Sequence, residues 1–268
     1  MTNKILAIGS PLVDYIVRVD DAFLHQIKGE KGGMELITND AFTALLGACG
    51  IPDAKIAGGS AANVIRGLAH LGWHCALKGK VGDDESSKIF FNSIKNLPIT
   101  PLFIKSVLPT GRALCLVTPD GQRTMRTSLG ASSEMTAEEL HPIDFAGMRL
   151  VHIEGYSLHR QGFAERMIGL AKEAGAQISF DLASHETVTL YRERLFNLLK
   201  QVDIVIANAD EAKALTGLEP KQSCAFLKEI CPTALVLFGE GGCWVGQGSR
   251  LVHGPAIKGT VIDTTGAG

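Results

Sequence analysis

The sequence predicts an α/β fold: a parallel-sheet core with helices on both faces and a small β lid. Three observations predict it. Strand-like apolar runs alternate with helix-like segments from residue 149 onward, the first half contains period-two alternation, and polar or glycine-rich segments follow the ends of predicted strands. Strands that are nearly all apolar and separated by helices are typical of a parallel sheet covered on both faces.

The second half alternates regularly between the two kinds of element. The predicted strands are residues 149–154, 177–181, 203–207 and 234–238, and the predicted helices are residues 162–173, 188–200, 210–215 and 221–230. Ligands of open parallel sheets bind beyond the carboxyl ends of the strands, so polar residues at those ends are the candidates for a site.

The first half combines core elements with a different sheet. A core strand is predicted at residues 4–9, helices at 61–71 and 85–97, and half-buried alternating strands at 15–19, 34–37, 113–118 and 122–127. Asp120-Gly121 joins the last two strands and is a strong hairpin-turn signal. We therefore expect a single domain over residues 1–268, with a lid inserted from residues 15–40 and 101–128.

Composition excludes several classes of protein. With 26 Lys and Arg against 28 Asp and Glu, the chain has no excess of basic residues, so nucleic acid is not an expected partner. No apolar run is long enough to span a bilayer, so no membrane partner is expected. The six cysteines form no C-x-x-C pair, which is typical of reduced thiols in a cytoplasmic protein.

A glycine-rich segment precedes the first long helix. Gly58 and Gly59 let a backbone come close to a ligand, and Asn63 projects from the first helical turn, where its amide can donate to and accept from sugar hydroxyls. The alternative is a plain glycine turn in which Ser60 serves as the helix N-cap. The segment alone does not decide between the two.

Two carboxylates follow predicted strands. Asp14 lies just past the first strand and could accept hydrogen bonds from two adjacent hydroxyl groups, although a solvated turn aspartate is the simpler reading. Glu154 ends the apolar segment at residues 150–153, where a charge is costly unless it is paired or exposed. Glu154 is therefore either a ligand-binding residue or an exposed residue at the rim.

Asn208 and Glu211 follow the strand at residues 203–207. Asparagine at an N-cap with glutamate three residues later matches a capping box, and that interpretation is favoured from spacing alone. The same oxygens suit a hydrated Mg²⁺ ion with phosphate. The two roles can coexist.

Two glycine-rich turns complete the candidate site. Gly239 and Gly241 follow the strand at residues 234–238, where a nucleotide could approach the backbone, although a plain hairpin is equally plausible because a strand resumes at Cys243. The second turn closes the chain and could bind an anion through successive N–H groups. It consists of Asp263, Thr264, Thr265, Gly266, Ala267 and Gly268.

The ordered set of motifs resembles the PfkB (ribokinase-like) carbohydrate kinase family, which includes ribokinase and adenosine kinase, over the whole chain. The motifs that carry the resemblance are Asp14, Gly58-Gly59 with Asn63, the segment 79–84, Pro109-Thr110-Gly111, Asn208 with Glu211, the turn at 239–242 and the terminal segment 263–268. The resemblance implies a ribokinase-like core and the transfer of the γ-phosphoryl group of ATP to a primary alcohol of a small-molecule acceptor.

The resemblance also implies a role for each motif. The acceptor would be bound by Asp14, Gly58, Gly59, Asn63 and the nearby Glu154. ATP would be bound by Asn208, Gly239, Gly241, Asp263 and Thr264, Mg²⁺ would be organised by Glu211, and the catalytic anion hole would be formed by Gly266, Ala267 and Gly268.

Within the family, residues 109–131 and Glu154-Gly155-Tyr156 look most like adenosine kinase, since an aromatic ring could stack on a base. An adenosine-like nucleoside is therefore slightly favoured over a ribose- or fructose-type sugar as the acceptor. Lid strands with open edges could pair two subunits into a homodimer. A dinucleotide-dependent oxidoreductase is rejected, because Ser10-Pro11 follows the first strand in place of G-x-G-x-x-G.

The family motif continues with an aspartate directly after Gly-Ala-Gly, the general base that takes the proton of the acceptor hydroxyl. Gly268 is the last residue of this chain. Because loss of a general base costs about 10²–10⁴-fold in rate, the resemblance implies that the 268-residue chain is impaired whereas its parent protein is a kinase. A non-catalytic protein that binds a sugar or nucleoside is the alternative.

Overall fold

The computed structural model describes residues 4–257. The chain forms two compact units. The first contains the chain up to Gly9, the segment Trp73–Ala76 and the chain from Thr136 onward, and the second contains Ser10–Gly72 and Leu77–Met135.

Strands and helices alternate through much of the chain. The strands are β1 (Lys4–Ile8), β2 (Leu12–Arg18), β3 (Met34–Leu36), β4 (Ala54–Gly58), β5 (His74–Val81), β6 (Ile99–Lys105), β7 (Gly111–Val117), β8 (Arg123–Ser128), β9 (Leu150–Glu154), β10 (Gln177–Asp181), β11 (Ile204–Asn208), β12 (Thr233–Leu237), β13 (Cys243–Gln247) and β14 (Arg250–Gly254). The helices are α1 (Asp21–Leu24), α2 (Asn39–Cys49), α3 (Ser60–His70), α4 (Glu85–Ile94), α5 (Pro142–Phe145), α6 (Phe163–Glu173), α7 (His185–Leu190), α8 (Arg192–Leu199), α9 (Ala209–Thr216) and α10 (Pro220–Leu227).

The larger sheet has nine strands in the order β14-β13-β12-β11-β10-β9-β1-β5-β6. The neighbours from β1 through β9, β10 and β11 to β12 pair in parallel. Two antiparallel strands, β13 and β14, extend this run. Strand β1 is buried from Ile5 to Ile8, as expected for a central strand that is covered on both faces. The predicted α/β class with a largely parallel sheet is confirmed.

The smaller sheet lies in the second unit and has five strands in the order β3-β8-β7-β2-β4. Its central strands β2 and β7 pair in parallel over seven residues each, and β7 pairs with β8 in antiparallel fashion. Helix α4 packs on β2 and β4, and α2 packs on β8. One face is filled by Tyr15 and Phe42, whose rings meet edge to face at 5.5 Å.

The predicted hairpin at Asp120-Gly121 is confirmed. Strands β7 and β8 are joined by a turn in which Gly121 has φ +80°, a conformation that glycine adopts without steric cost. The boundaries of the lid and the single-domain assignment stay predictions.

Two of the differences from expectation have a clear physical cause. The single helix predicted over residues 188–200 is two helices, α7 and α8, because the backbone of Tyr191 leaves the helical region at φ −114° and ψ +23°. Strand β6 was not predicted, since Pro101 interrupts its strand pattern. Proline is tolerated there because β6 is at the end of the strand order, where a missing ladder hydrogen bond costs little.

Candidate functional site

Asp14 is the buried carboxylate of the second unit. It lies in the middle of β2, and only 8% of its surface is exposed, so the alternative of a solvated turn residue is wrong. A Cβ built on the neighbouring Gly58 would come within 2.6 Å of Asp14 Oδ2. Gly58 therefore provides the space that the carboxylate occupies.

Gly59 begins the helix that carries Asn63. Gly59 is the N-cap of α3 with φ +98°, and a Cβ there would lie 2.4 Å from the backbone oxygen of Ser10. Helix α3 starts at Ser60 and has no side-chain cap, so the alternative of Ser60 as N-cap is wrong. Asn63 N donates to Gly59 O at 2.9 Å, which fixes the half-buried Asn63 on the first turn.

The charges of two arginines that sequence reasoning missed act on Asp14. Burial raises the pKa of the Asp14 carboxyl, and the charges of Arg123 and Arg66 oppose that shift. Arg66 also donates from Nη2 to Asn63 Oδ1. A pattern could have found Arg66, because a residue three positions after Asn63 lies on the same helix face.

Two further family motifs are joined in the second unit by Asp84. Its carboxylate accepts from Ser87 N at 2.8 Å as the cap of α4, and from Thr110 N at 2.7 Å. Thr110 Oγ1 in turn accepts from Gly82 N at 3.0 Å. Asp84 thus fixes the segment at residues 79–84 against Pro109-Thr110-Gly111.

In the first unit, Glu154 ends β9 with only 1% of its surface exposed, so the alternative of an exposed rim residue is wrong. It stands opposite Asp181 in the register of β9 with β10. Burial lowers the pKa of the Arg160 guanidinium, and the charge of Glu154 opposes that shift, which places a cation near the buried carboxylate. Burial raises the pKa of the nearby Tyr156 to about 12, so Tyr156 stays neutral near pH 7.

The loop after β10 holds a constrained backbone. Ala183 has φ +73°, the one non-glycine residue with positive φ among residues 4–257. Its N–H donates to Asp181 Oδ1 at 3.0 Å. A side chain in this region costs roughly 1–2 kcal/mol, and such backbone strain is found most often at functional sites.

Asn208 and Glu211 form the capping box that their spacing predicts. Asn208 Oδ1 accepts from Glu211 N at 2.9 Å, and Glu211 Oε2 accepts from Asn208 N at 2.9 Å. Burial raises the pKa of Glu211 to about 7; the hydrogen bond from Asn208 N opposes this shift, whereas the charges of Asp181, Asp210 and Glu186 add to it. Three other carboxylates therefore act on the charge of Glu211.

A cavity of about 270 Å³ opens at the carboxyl ends of β11 and β12. Residues at or just after the ends of these two strands line it: Asn208, Ala209, Asp210, Leu237, Phe238, Gly239 and Gly242. The turn at Gly239–Gly241 closes a hairpin between β12 and β13, so the hairpin interpretation is confirmed. The nucleotide role predicted for this turn is compatible with the hairpin.

Gly241 is not part of the cavity lining. A Cβ on Gly241 would lie 2.0 Å from the ring of Phe238, whose side chain does line the cavity. Gly241 therefore lies directly against the Phe238 ring.

The remaining predicted residues, Asp263, Thr264, Gly266, Ala267 and Gly268, lie outside the described residues. Within residues 4–257, no group of three or more His, Cys, Asp or Glu side chains is arranged to hold a metal ion by itself. Mg²⁺ in phosphoryl-transfer sites is commonly held by one or two carboxylates together with substrate phosphates. The buried Glu211 carboxylate, with Asp181, Asp210 and Glu186 close enough to raise its pKa, fits that mode of binding.

Comparison with known proteins identifies the family. A family model described as pfkB family carbohydrate kinase matches residues 53–268. Fructokinase-1 of Zea mays is 30% identical over 230 residues, which span 80% of this chain and 71% of that protein.

Two solved structures share the fold along nearly the whole chain. The adenosine kinase of Sinorhizobium meliloti is 33% identical with a TM-score of 0.89, covering 98% of this chain and 83% of that one. A probable sugar kinase of Rhizobium etli CFN 42 is 30% identical with a TM-score of 0.91, covering 100% of this chain and 84% of that one.

The fold and these similarities define a small-molecule kinase built on a ribokinase-like sheet. The chain belongs to the pfkB family of carbohydrate kinases. Of the helices within residues 4–257, none combines the length and the apolar character that a membrane crossing requires.

Proposed function

We propose that this protein transfers the γ-phosphoryl group of ATP to a primary hydroxyl of a nucleoside, with an adenosine-like acceptor preferred over a free sugar. The observation that carries the proposal is the buried Asp14 carboxylate beside Gly58. A buried carboxylate is costly unless it is hydrogen-bonded, and the adjacent hydroxyls of a ribose would supply two donors. Asn63, on the neighbouring helix, would add an amide contact.

The nucleotide would be bound in the first unit. Asn208, Gly239 and the other residues around the 270 Å³ cavity offer backbone and amide groups at the carboxyl ends of two parallel strands, where open sheets bind ligands. Glu211 would hold Mg²⁺ together with the phosphates. When bound, this ion would neutralise charge on the phosphoryl oxygens.

The nucleoside preference follows the 33% identity to the adenosine kinase of Sinorhizobium meliloti. Within the first unit, Tyr156 offers an aromatic ring. Its ring follows Glu154 at the end of β9 and is stacked with the His159 ring, at 6.5 Å between centroids and 23° between planes. Flat aromatic groups of this kind can stack on a base. The 30% identity to a fructokinase keeps a fructose-type sugar kinase as the second candidate.

The test is an assay of ADP formation with ATP, Mg²⁺ and a panel of adenosine, ribose and fructose, with binding of each acceptor followed by calorimetry. We expect phosphorylation of adenosine, and a fall of about 100-fold or more in kcat/KM for Asp14→Asn, because a buried partner of substrate hydroxyls is lost. Tight acceptor binding without any ATP consumption would favour the non-catalytic alternative. No binding and no turnover with any acceptor would overturn the proposal.

A homodimer is part of the same proposal. The edge strands β3 and β4 of the five-stranded sheet carry Leu36 and Ile56, which are about half exposed. Exposed apolar edge strands are templates for pairing with a second copy. Light scattering that gives the mass of a monomer at micromolar concentration would contradict it. We further propose a cytoplasmic location, which localisation of a fluorescent fusion would test.

A further inference from the structure

We propose that Arg66 is a positioning residue of the acceptor site: it fixes the amide of Asn63 so that Asn63 donates to an acceptor hydroxyl while Asp14 accepts. The inference rests on the proposed function, because it assigns a direction to the hydrogen bonds that the acceptor would make. Arg66 belongs to none of the motifs by which the sequence predicted the site.

The direction follows from the chemistry of the guanidinium group. Arg66 Nη2 contacts Asn63 Oδ1, three residues earlier on helix α3. Arginine carries five donors and no acceptor, so only the oxygen of the Asn63 amide can face it. The Nδ2 group of Asn63 is thereby turned away from Arg66. Without Arg66, either end of the amide could turn toward a bound hydroxyl.

Arg66 also acts on Asp14. The guanidinium is half-buried, and its pKa is lowered by burial while the charge of Asp14 opposes that shift. In return, Arg66 and Arg123 counter the burial that raises the pKa of the Asp14 carboxyl. One side chain thus holds Asp14 as an acceptor and Asn63 as a donor.

Arg18 lies on the same face of β2 as Asp14, but its side chain is 84% exposed and pairs with Asp53 at 3.9 Å. The other charged side chains beside β2 lie on the opposite face. Successive residues of a strand point to opposite faces, so Tyr15 and Asp14 lie on different sides of the sheet. Lys55 of β4 sits over the Tyr15 ring and pairs with Glu85 of α4 at 3.0 Å. On the same side, Arg112 of β7 lies over the ring of Phe42, which contacts Tyr15. Arg66 of α3 and Arg123 of β8 are the cations that oppose the pKa shift of Asp14.

The experiment compares wild type with Arg66→Met and Arg66→Lys. The probes are adenosine, 2′-deoxyadenosine and 3′-deoxyadenosine, with binding measured by calorimetry and kcat/KM measured from pH 4 to pH 9. Arg18→Ala is the matched control, since it removes an arginine from β2 whose side chain is 84% exposed.

In wild type, loss of a bound hydroxyl should weaken binding about 10–100-fold, because its partner is left unsatisfied. In Arg66→Met, we expect this discrimination to shrink by about tenfold, since the freed amide can turn to suit either ligand. Loss of the cation should also move the acid limb of kcat/KM to higher pH, because Asp14 then binds a proton more readily. Arg66→Lys should restore the acid limb, and Arg18→Ala should match wild type.

The outcomes separate the two proposals. If wild type distinguishes the three nucleosides and Arg66→Met keeps both the discrimination and the pH profile, the role of Arg66 is overturned and the kinase function stands. A merely structural role would weaken all three ligands equally and leave the acid limb in place. If wild type binds none of the nucleosides and no sugar, both proposals fail together.

Discussion

The space around the Asp14 carboxylate in the second unit depends on single atoms. Gly58 and Asp14 lie on the paired strands β4 and β2, and the carboxylate occupies the space in which any side chain at position 58 would begin. A methyl group there can be accommodated only if the carboxylate or its strand moves. The requirement for glycine at this position is therefore steric.

We expect Gly58→Ala to raise the KM for the acceptor about tenfold or more. The new Cβ would lie 2.6 Å from Asp14 Oδ2 and would therefore displace the carboxylate. The cost in stability should be about 1–3 kcal/mol, as for overpacked buried sites. Steady-state kinetics and urea denaturation measure the two effects. Gly47→Ala is the control, since its Cβ would meet no atom within 4 Å; an equal effect in both variants would contradict the steric explanation.

Protonation of Glu211 should control metal binding. Because the pKa of this carboxyl is raised to about 7, it is largely protonated below that pH and charged above it. The apparent affinity for Mg²⁺ should therefore rise with pH, by about tenfold per unit below 7, and level off above it. Titration of activity with Mg²⁺ between pH 5.5 and pH 8.5 measures the trend.

Glu211→Gln is the control variant, because the phosphates of the nucleotide also bind protons in this pH range. The glutamine keeps the shape of the capping side chain but cannot change charge, so the pH dependence of Mg²⁺ affinity should become shallower. An identical slope in wild type and Glu211→Gln would show that Glu211 is not the group that titrates.

At the scale of the element, Asp84 joins the N-terminus of α4 to the start of β7. Burial alone would raise the pKa of its carboxyl, but hydrogen bonds from Ser87 and Thr110 outweigh burial and lower it. A carboxyl with a lowered pKa in the folded state stabilises the protein above the pKa of the unfolded chain. That stability is lost as pH falls through the folded value.

Asp84→Asn should destabilise the protein by about 1–3 kcal/mol near pH 7, since charge-assisted hydrogen bonds are lost. The difference from wild type should shrink when the pH is lowered from 7 to below 3.8, through the lowered pKa of the folded state, because the wild-type carboxyl is then protonated as well. Urea denaturation at both pH values measures it. Asp83→Asn is the neighbouring control, because its side chain is 91% exposed; a loss of similar size there would contradict the prediction.

The same elements show what the sequence can and cannot predict. The run of strands and helices from β9 to β12 follows directly from apolar segments bounded by glycine and polar residues. The break between α7 and α8 depends on the backbone of one residue, Tyr191, and no local pattern marks it. Strand β6 carries Pro101, and its place at the end of the strand order makes it possible.

The candidate site is predicted unevenly for a similar reason. Asp14, Glu154 and Asn208 were found because they lie in or beside strands with clear patterns. Arg123 was missed because its proximity to Asp14 depends on the packing of β8, which sequence spacing does not give. Arg66 was missed although its spacing from Asn63 places the two side chains on one helix face. Gly241 was assigned to the nucleotide, yet in the structure it touches the Phe238 ring.

Over the whole molecule, the thiols are free. None of the six cysteines forms a disulfide within residues 4–257, and Cys75, Cys115, Cys224 and Cys231 are buried. Burial raises the pKa of Cys49 and Cys75 to about 11. The reactive thiolate is therefore scarce at these two positions.

We expect Cys49 and Cys75 to react with a thiol reagent at pH 8 about 100-fold more slowly in the native protein than in guanidinium, because only the thiolate attacks. Mass spectrometry of alkylated peptides measures each site. The melting temperature should be the same with and without a reductant. A lower melting temperature in the reductant would reveal a stabilising disulfide and contradict the assignment of free thiols.

The contact between Gly241 and Phe238 limits which substitutions position 241 can tolerate. One wall of the cavity is the Phe238 ring, and Gly241, which is not part of the lining, packs against that ring. Under the proposed function, a substitution at position 241 should alter nucleotide preference, although it lies on an exposed turn where variation is usually harmless. The shape of the cavity therefore constrains Gly241 as well, although Gly241 lies on the surface.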